Sequence, residues 1–291
     1  VNKENGKIVE KTIYYEAEVA IEAKVEKGYT WEKYISNNKR VENLEEQELK
    51  IKMPIGDIEL TAVGVINEYK IEYELEGGNL KAGESNPSKY TVETEKIILV
   101  NPNKYGYNFI GWTGSNGTEA EEVVAIEKGS IGNRAYKANW EGAEGTEYTV
   151  KTYIMNVDGE YEETVEKRTG KTDEVIELNP KAEKGFTYEE NISIPRGKVL
   201  VDGSTVLKLY FSRNKYSVKL ESEDGIEKVE GAKEYYYGSE VIINAKAKDG
   251  YVWNSWENDG QEVSKEQNYT FSMPAENVEL IAKADAIEYT I

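Results

Sequence analysis

The chain has 291 residues and a formal net charge of −19 at pH 7, with 55 acidic against 36 basic side chains. Because nucleic-acid binding depends on lysine and arginine neutralising phosphates, this balance argues against nucleic acid as a partner. The sequence contains neither cysteine nor histidine, which excludes disulfides, Ser-His-Asp and Cys-His catalysis and the usual zinc sites.

The composition predicts a mostly β fold. The chain holds 22 tyrosines and 5 tryptophans but only 6 prolines, and aromatic residues suit the pleated, half-buried surface of a strand. No apolar run approaches the roughly 18 residues of a membrane span, so no membrane insertion is expected. Helical periodicity is weak, and residues 119–126 and 129–137 fit at most one or two helical turns.

The first clear strand pattern lies at 19–25, where apolar and polar residues alternate. The surrounding stretch 11–34 recurs at 233–256 with eleven of 24 positions identical, and 51–62 recurs at 271–282. The offset falls from 222 to 220 residues between the two matches. A loop that lost two residues while its flanks stayed intact explains this, as expected of a true repeat.

Further alternating strands open new units along the chain. They begin near Tyr69, Tyr148 and Tyr216, and residues 286–291 repeat the pattern of 66–71. We therefore predict four tandem modules in an elongated array. They are module 1 (1–67, with its opening strand cut), module 2 (68–143), module 3 (144–213) and module 4 (214–286), with 287–291 starting a further module.

Module 2 carries three motifs in a fixed order. Gly77-Gly78 follows its first strand, Gly-Tyr-Asn-Phe-Ile-Gly-Trp occupies 106–112, and Ala-Tyr-Lys-Ala-Asn-Trp occupies 135–140. With these motifs, residues 69–140 resemble the internalin B-repeat family, also called the Listeria–Bacteroides repeat. Modules 1 and 4 resemble divergent members, because both keep a Gly-Tyr-x-Trp motif, at 28–31 and 250–253, and a Met-Pro pair, at 53–54 and 273–274.

Module 3 has a different signature. It carries Gly-Phe-Thr at 185–187, Gly-Lys-Val at 197–199 and a long motif at 202–211 that ends in Leu-Tyr-Phe. With these motifs, residues 147–213 resemble a mucin-binding-protein-type repeat. The two resemblances together cover nearly the whole chain.

These resemblances imply small α+β, β-grasp-like domains in large surface proteins, mainly of Gram-positive bacteria. Such families are associated with adhesion, stalks and ligand display, and they offer no catalytic residues to carry over. The implied location is extracellular and attached to the cell wall, with the signal peptide and the wall anchor outside this sequence. We expect no enzyme activity and no cofactor.

The aromatic side chains raise the question of ligand binding. Flat rings stack on sugars, but a tryptophan that recurs at one place in several small modules is expected to fill each core. We therefore predict core positions for Trp31, Trp112, Trp140, Trp253 and Trp256. Tyr235, Tyr236 and Tyr237 are the candidate ligand-binding residues. Three consecutive tyrosines in a strand cannot all face inward, so at least one faces outward or contacts a neighbouring module.

No acidic cluster in the sequence identifies a catalytic or metal site. Pairs such as Glu45-Glu46 arise by chance among 55 acids, and a glycosidase needs two carboxyls facing each other across a cleft. Calcium, which prefers oxygen ligands, is the metal that fits best. Its weak candidate loop at 222–225 is better explained as an ordinary turn.

Three classes of function stay open. The chain is a non-catalytic stalk or spacer in a bacterial adhesion protein, a module that binds host glycan, mucin or protein, or an accessory region of a large surface enzyme. We favour the spacer, as a monomer, because small folded units in series project a distal domain. Each unit is about 25–30 Å across, so four units span about 100–120 Å.

Overall fold

The computed structural model describes residues 2–4, 7–9 and 11–290, and these residues form strands and no helix. The prediction of a mostly β fold is confirmed. The helical turns allowed at 119–126 and 129–137 are wrong, since these stretches are strand, turn and irregular backbone. Alternating residues in the second stretch join a sheet, and Gly129 and Gly132 adopt positive φ values before it.

The strands follow one another in chain order with short connections. In module 1 they are β1 (Asn2–Glu4), β2 (Lys7–Val9), β3 (Glu18–Glu22), β4 (Tyr29–Ser36), β5 (Glu48–Lys52) and β6 (Leu60–Ile66). In module 2 they are β7 (Tyr69–Glu74), β8 (Lys89–Tyr90), β9 (Ile97–Ile98), β10 (Tyr107–Gly114), β11 (Gly117–Glu121), β12 (Ala125–Ile126) and β13 (Arg134–Gly142).

The second half of the chain continues in the same way. In module 3 the strands are β14 (Thr146–Met155), β15 (Tyr161–Gly170), β16 (Val175–Glu177), β17 (Phe186–Tyr188), β18 (Arg196–Lys198) and β19 (Val206–Arg213). In module 4 they are β20 (Lys215–Ser222), β21 (Ile226–Glu230), β22 (Glu234–Tyr236), β23 (Glu240–Ala247), β24 (Tyr251–Asn258), β25 (Gln261–Ser264), β26 (Asn268–Ser272) and β27 (Val278–Ala286).

One pairing recurs in modules 2, 3 and 4. The first strand of each module lies parallel to the last strand, as β7 with β13, β14 with β19 and β20 with β27. The other pairs whose register is given for the described residues are antiparallel. In module 1 the sheets are the hairpin β1–β2 and the antiparallel pairs β3–β5 and β4–β6.

Buried apolar side chains form four clusters, each confined to one stretch of sequence. The clusters draw on residues 21–60, 69–140, 148–211 and 216–284. By its contacts the chain divides into two compact units, residues 1–141 and 142–291. The four module boundaries therefore stay a prediction. None of the described residues builds a helix long and apolar enough to cross a membrane.

Modules 1 and 4 repeat each other in three dimensions as well as in sequence. The Met53 amide donates to the Ala17 carbonyl at 2.9 Å, and the Met273 amide donates to the Ser239 carbonyl at 2.9 Å. Each module also carries a register shift at the corresponding place, between β4 and β6 and between β24 and β27. The sequence repeat therefore encodes one backbone arrangement.

The tryptophans lie where the core prediction put them. Trp112 and Trp256 are fully buried. Trp31, Trp140 and Trp253 are half-buried and pack against the cluster of their own module. Each small core is therefore built around at least one large aromatic ring in modules 1, 2 and 4.

The last residues differ from the expectation of a new strand. Residues 287–290 have no regular structure, and the Ile287 amide donates to the Gly250 carbonyl at 2.8 Å. Residue 291, the rest of the predicted new module, lies outside the described residues.

Candidate functional site: the tyrosine cluster at 235–237

The three tyrosines lie at the end of strand β22 and in the turn after it. β22 pairs antiparallel with β20, and Tyr235 lies opposite Tyr216. All three side chains are half-buried. Because neighbouring residues of a strand point to opposite faces, the three rings find three different surroundings.

Tyr235 belongs to the interior of module 4. Its ring packs against the core cluster that contains Trp256. Its hydroxyl donates to the Gly231 carbonyl at 2.8 Å, and burial raises the pKa of this hydroxyl. The Lys233 ammonium lies 4.7 Å from the ring centroid. These contacts leave Tyr235 as a packing residue with a satisfied hydroxyl.

Tyr236 faces the hairpin between β14 and β15 in module 3. The backbone of Gly159, in that hairpin turn, approaches so closely that an added Cβ would lie 3.1 Å from the Tyr236 hydroxyl oxygen. The Lys215 ammonium lies 4.6 Å from the ring centroid, a cation–π distance. The ring thus contacts the preceding module on one side and a lysine on the other.

Tyr237 covers a glycine turn of module 3. Gly185 adopts φ +87°, and a Cβ at that position would lie 2.3 Å from Tyr237 Cδ1. The ring also meets Phe186 edge-on at a centroid distance of 6.0 Å. Only glycine therefore fits beneath this ring, both for its backbone conformation and for lack of space.

Arg213 holds the same contact together through its guanidinium group. Nε donates to the Met155 carbonyl at 2.9 Å, and Nη1 donates to the Tyr237 carbonyl at 2.7 Å. The group lies 4.7 Å from the centroid of Phe186. One planar cation thus connects the β14–β15 hairpin of module 3 with the tyrosine turn of module 4.

An equivalent contact joins module 1 to module 2. Gly28 adopts φ +91°, and a Cβ there would lie 1.9 Å from Val92 Cγ1. Val92 lies two residues after Tyr90, which pairs with the first strand of module 2, as Tyr237 lies two residues after Tyr235, which pairs with the first strand of module 4. The next residue, Tyr29, donates from its hydroxyl to Glu93 at 2.5 Å. We call the two contacts, Gly28 with Val92 and Gly185 with Tyr237, the glycine-turn junctions.

The hydrogen bonds beside the two junctions also match. The Asn67 amide donates to the Gly28 carbonyl at 2.9 Å, as the Asn214 amide does to the Gly185 carbonyl at 3.0 Å. The hydroxyls of Thr30 and Thr187 donate to the side-chain oxygens of these asparagines, both at 2.7 Å. Each asparagine lies at a predicted boundary between two modules, Asn67 as the last residue of module 1 and Asn214 as the first of module 4, so the linker itself is hydrogen-bonded to the turn.

The ligand-binding role of Tyr235, Tyr236 and Tyr237 stays a prediction. The structure gives each ring a contact inside the protein, and for Tyr236 and Tyr237 that contact is with the neighbouring module. The sequence analysis missed Arg213 and the role of the glycines before aromatic residues. The available signal was the recurring Gly-aromatic-Thr triplet at 28–30 and 185–187, followed in each case by an asparagine at the predicted boundary with the next module.

Acidic side chains form no metal site within the described part of the chain, where no three of them come together closely enough to hold an ion. In the turn at 222–225, the Glu223 carboxylate lies 3.3 Å from the Lys283 ammonium. That ion pair accounts for this acid without calcium.

Comparison with known proteins identifies a repeat family for two stretches. Residues 1–63 and 216–287 match the sequence profile of the divergent InlB B-repeat domain. The prediction of divergent internalin B-type repeats is therefore confirmed for modules 1 and 4. The resemblances of 69–140 and 147–213 to their families stay predictions.

Other comparisons add little. No curated protein matches the chain. A solved structure described as the Bacillus anthracis TIE protein aligns with 90% of this chain and 62% of that chain, at 12% identity and a TM-score of 0.32. The chain thus spans less than two thirds of that protein's length, and the similarity is too low to support an argument about fold or function.

Proposed function

We propose that this chain is a non-catalytic repeat region of a bacterial cell-surface protein and acts as a spacer that projects a distal adhesive domain. InlB-type repeats occur in extracellular surface proteins, and the two matched stretches support that setting. Attachment to the cell wall, a β-grasp-like module and the four-module array belong to this proposal.

The observation that carries the proposal is the repeated glycine-turn junction. A spacer of small units keeps its length only if successive units cannot fold back on each other. At two junctions a glycine turn is covered by a side chain of the next module, and an asparagine of the linker is hydrogen-bonded to the same turn. Such linkers restrict hinge motion.

The strand order supports a load-bearing role. In modules 2, 3 and 4 the chain enters through the first strand and leaves through the last, and these two strands are parallel neighbours. A pull on the two ends therefore slides the strands along each other, and their hydrogen bonds share the load. If the first and last strands were antiparallel, both chain ends would leave from the same end of the pair. A pull would then break the hydrogen bonds between the two strands one at a time.

Small-angle X-ray scattering tests the spacer directly. Four modules of about 25–30 Å predict a maximum dimension of about 100–120 Å, whereas one globule of this length would measure about 50 Å. A profile with the larger dimension, unchanged by salt, supports the proposal. A compact profile contradicts it.

Force spectroscopy on the same chain tests the load path. Each module of about 70 residues should release about 20 nm when it unfolds, since an extended residue spans at most 3.3–3.6 Å. Separate events of this size are expected. One event that releases the whole chain at once would rule out independent modules.

A second candidate function is binding of host glycan or protein by module 1. Tyr14 and Tyr15, which match Tyr236 and Tyr237, are 89% and 61% exposed. A glycan or host-protein array probed with the chain and with a Tyr14→Ser/Tyr15→Ser variant distinguishes the two roles. Hits that vanish in the variant favour a binding role for module 1. Hits that the chain and the variant share exclude Tyr14 and Tyr15 as the binding residues.

A further inference from the structure

Strand β15 forms a long and regular sheet edge in module 3. It has ten residues, Tyr161–Gly170, and pairs with β14 in one continuous register without a bulge. Over the described residues it pairs with no other strand, so its second edge is free. Natural proteins usually shorten or bulge such edges. The other edge strands of the four- and five-stranded sheets are indeed short, with two to five residues in β8, β11, β17, β22 and β25.

The hydrogen-bond pattern shows which backbone groups line the free edge. In the hairpin before β15, the Asn156 amide donates to the Glu160 carbonyl at 2.8 Å. Hydrogen-bonded pairs of an antiparallel ladder recur at every second residue, so the even-numbered residues of β15 bond to β14. On the far side of β14 the Thr149 amide donates to the Thr205 carbonyl at 2.9 Å, as this pattern requires. The amides and carbonyls of residues 161, 163, 165, 167 and 169 therefore point to the free edge.

The charges along this edge are arranged so that the strand complements itself. Residues 162–168 read Glu-Glu-Thr-Val-Glu-Lys-Arg. If a second copy lies antiparallel with Val165 opposite Val165, then Glu163 faces Lys167 and Glu162 faces Arg168, each twice. Odd-numbered residues then lie opposite odd-numbered residues, which lets their free amides and carbonyls bond to each other. Opposite charges at facing positions stabilise such a pair of strands.

Neighbouring registers lose this complementarity. An axis moved by one residue places Glu162 opposite Glu166, or Glu166 opposite itself. An axis moved by two residues places Glu163 or Lys167 opposite itself. Because like charges at directly facing positions destabilise a sheet, the sequence favours the register with its axis at Val165.

The side chains needed for this pairing are accessible. Residues 161–167 are all exposed, and Val165 is 56% exposed. Within the chain, the Lys167 ammonium lies 3.1 Å from Glu147 and the Arg168 guanidinium lies 2.7 Å from Glu166, both at the surface. Since exposed ion pairs contribute little to stability, an exchange of partners costs little.

We propose that β15 pairs antiparallel with β15 of a second copy of this chain, about a twofold axis at Val165, and so joins two four-stranded sheets into one. The contact is isologous, because each strand presents the same surface to the other. Two paired edge strands bury less surface than a stable dimer needs, so the association is weak and the dilute chain is a monomer.

The twofold axis also fixes the relative direction of the two copies. The chain enters module 3 through β14 and leaves it through β19, which run parallel, whereas β15 is antiparallel to β14. Antiparallel pairing of β15 with its copy therefore makes the two modules run in opposite directions. This arrangement suits copies that extend towards each other from two facing surfaces. The self-pairing does not depend on the spacer function.

Sedimentation equilibrium on the intact chain measures the association. At physiological ionic strength charges interact over only about 8 Å, so contacts rather than net charge decide the outcome. The mean mass should rise towards twice the monomer mass as the chain concentration approaches about 1 mM, with new hydrogen-exchange protection at 161–169. A chain that stays monomeric at this concentration, or in which β15 is protected only by an added host protein, would overturn the proposal.

Two charge reversals test the partner strand. Arg168→Glu and Glu162→Arg each place like charges opposite each other in their own dimer and should weaken self-association at least about tenfold. An equimolar mixture of the two variants restores opposite charges and should associate as the unchanged chain does. Arg196→Glu, at an exposed position of β18, is the matched control and should change association less than about twofold. A mixture that associates no better than either variant alone contradicts the proposal.

Cysteine crosslinking tests the register, because the chain has no cysteine of its own. Val165→Cys should form a disulfide-linked dimer on oxidation, since hydrogen-bonded partners have Cα atoms about 5.5 Å apart. Tyr161→Cys and Thr169→Cys should crosslink with each other but not with themselves, because identical positions lie about 27 Å apart along the strands. Equal yields from all these combinations, or a Tyr161→Cys chain that crosslinks with itself, would overturn the proposal.

Discussion

Modules 1 and 4 share their sequence pattern, a backbone hydrogen bond and a register shift, yet they bury their cores to different depths. Module 4 has β20 between β22 and β27, and its matched core residues Val241, Leu280 and Ala282 are almost fully buried. Module 1 shows no such strand among its described residues, and the same positions are more exposed. The comparison indicates that the first strand of a module covers the edge of the last strand and completes the burial of the core.

The largest expected difference concerns the matched leucines. Leu280→Ala should destabilise module 4 by about 3 kcal/mol, because the side chain is buried on all sides. Leu60→Ala should cost module 1 only about 1 kcal/mol, since part of its surface already meets solvent. Urea unfolding followed by the NMR signals of fluorinated tryptophan reads the two modules separately, through Trp31 and Trp256. Equal losses would contradict the open-core interpretation of module 1.

Two glycines with the same backbone conformation test the junctions. Gly185 and Gly250 have φ values of +87° and +85°, but an added Cβ at Gly250 would meet no atom within 4 Å. Gly250→Ala should therefore cost only about 1 kcal/mol, for the left-handed conformation. Gly185→Ala should cost about 2–3 kcal/mol, because the methyl group must also displace Tyr237. Calorimetric melting of both variants measures the difference in stability. Identical shifts in melting temperature would mean that the contact between Gly185 and Tyr237 does not contribute to stability.

The matched tyrosines give a smaller contrast. Tyr237→Ser removes the ring that covers Gly185 and should cost about 1.5–2 kcal/mol. Tyr15→Ser removes a ring that is 61% exposed and should cost less than about 0.5 kcal/mol. Chemical unfolding of the two variants provides the test. A loss at Tyr15 as large as that at Tyr237 would show that the exposed ring has a partner in the folded chain.

The smallest effect concerns pH. Burial raises the pKa of the Tyr34 hydroxyl in module 1, and module 4 has the non-ionising Trp256 at the corresponding position. The folded state thus holds this proton to higher pH than the unfolded chain does. The stability of module 1 should be constant below about pH 10 and fall as pH rises above it. Tyr34→Phe should flatten that fall in thermal melts monitored at Trp31, whose ring lies 4.7 Å away. An unchanged slope would exclude Tyr34 as the cause.

Local sequence signals predicted where strands lie and which residues fill the cores, but not which strands pair with one another. Alternation identifies which residues of β7, β20 and β23 face inward, and the indel-tolerant repeat correctly matched modules 1 and 4. The parallel pairing of first and last strands joins residues about 60 positions apart, and periodicity carries no information on such contacts. The helical turns were wrong for a related reason, since the sheet partner of β13, rather than local propensity, decides its conformation.

The contacts at the glycine-turn junctions could not be predicted from the sequence. Both Gly28 and Gly185 take positive φ, which glycine adopts readily. That conformation alone does not indicate which side chain covers them, because Val92 and Tyr237 have no chemical feature in common beyond apolar surface. Tyr237 therefore looked like a surface ligand residue, although its ring lies against the preceding module.

Hydrogen exchange measured by mass spectrometry on the intact chain tests most directly whether the first strand closes a module. Peptides that cover Val278–Ala282 of β27 should exchange at least about tenfold more slowly than peptides that cover the corresponding residues 58–62, because only β27 is paired on both edges. Equal exchange rates in the two stretches would contradict the account.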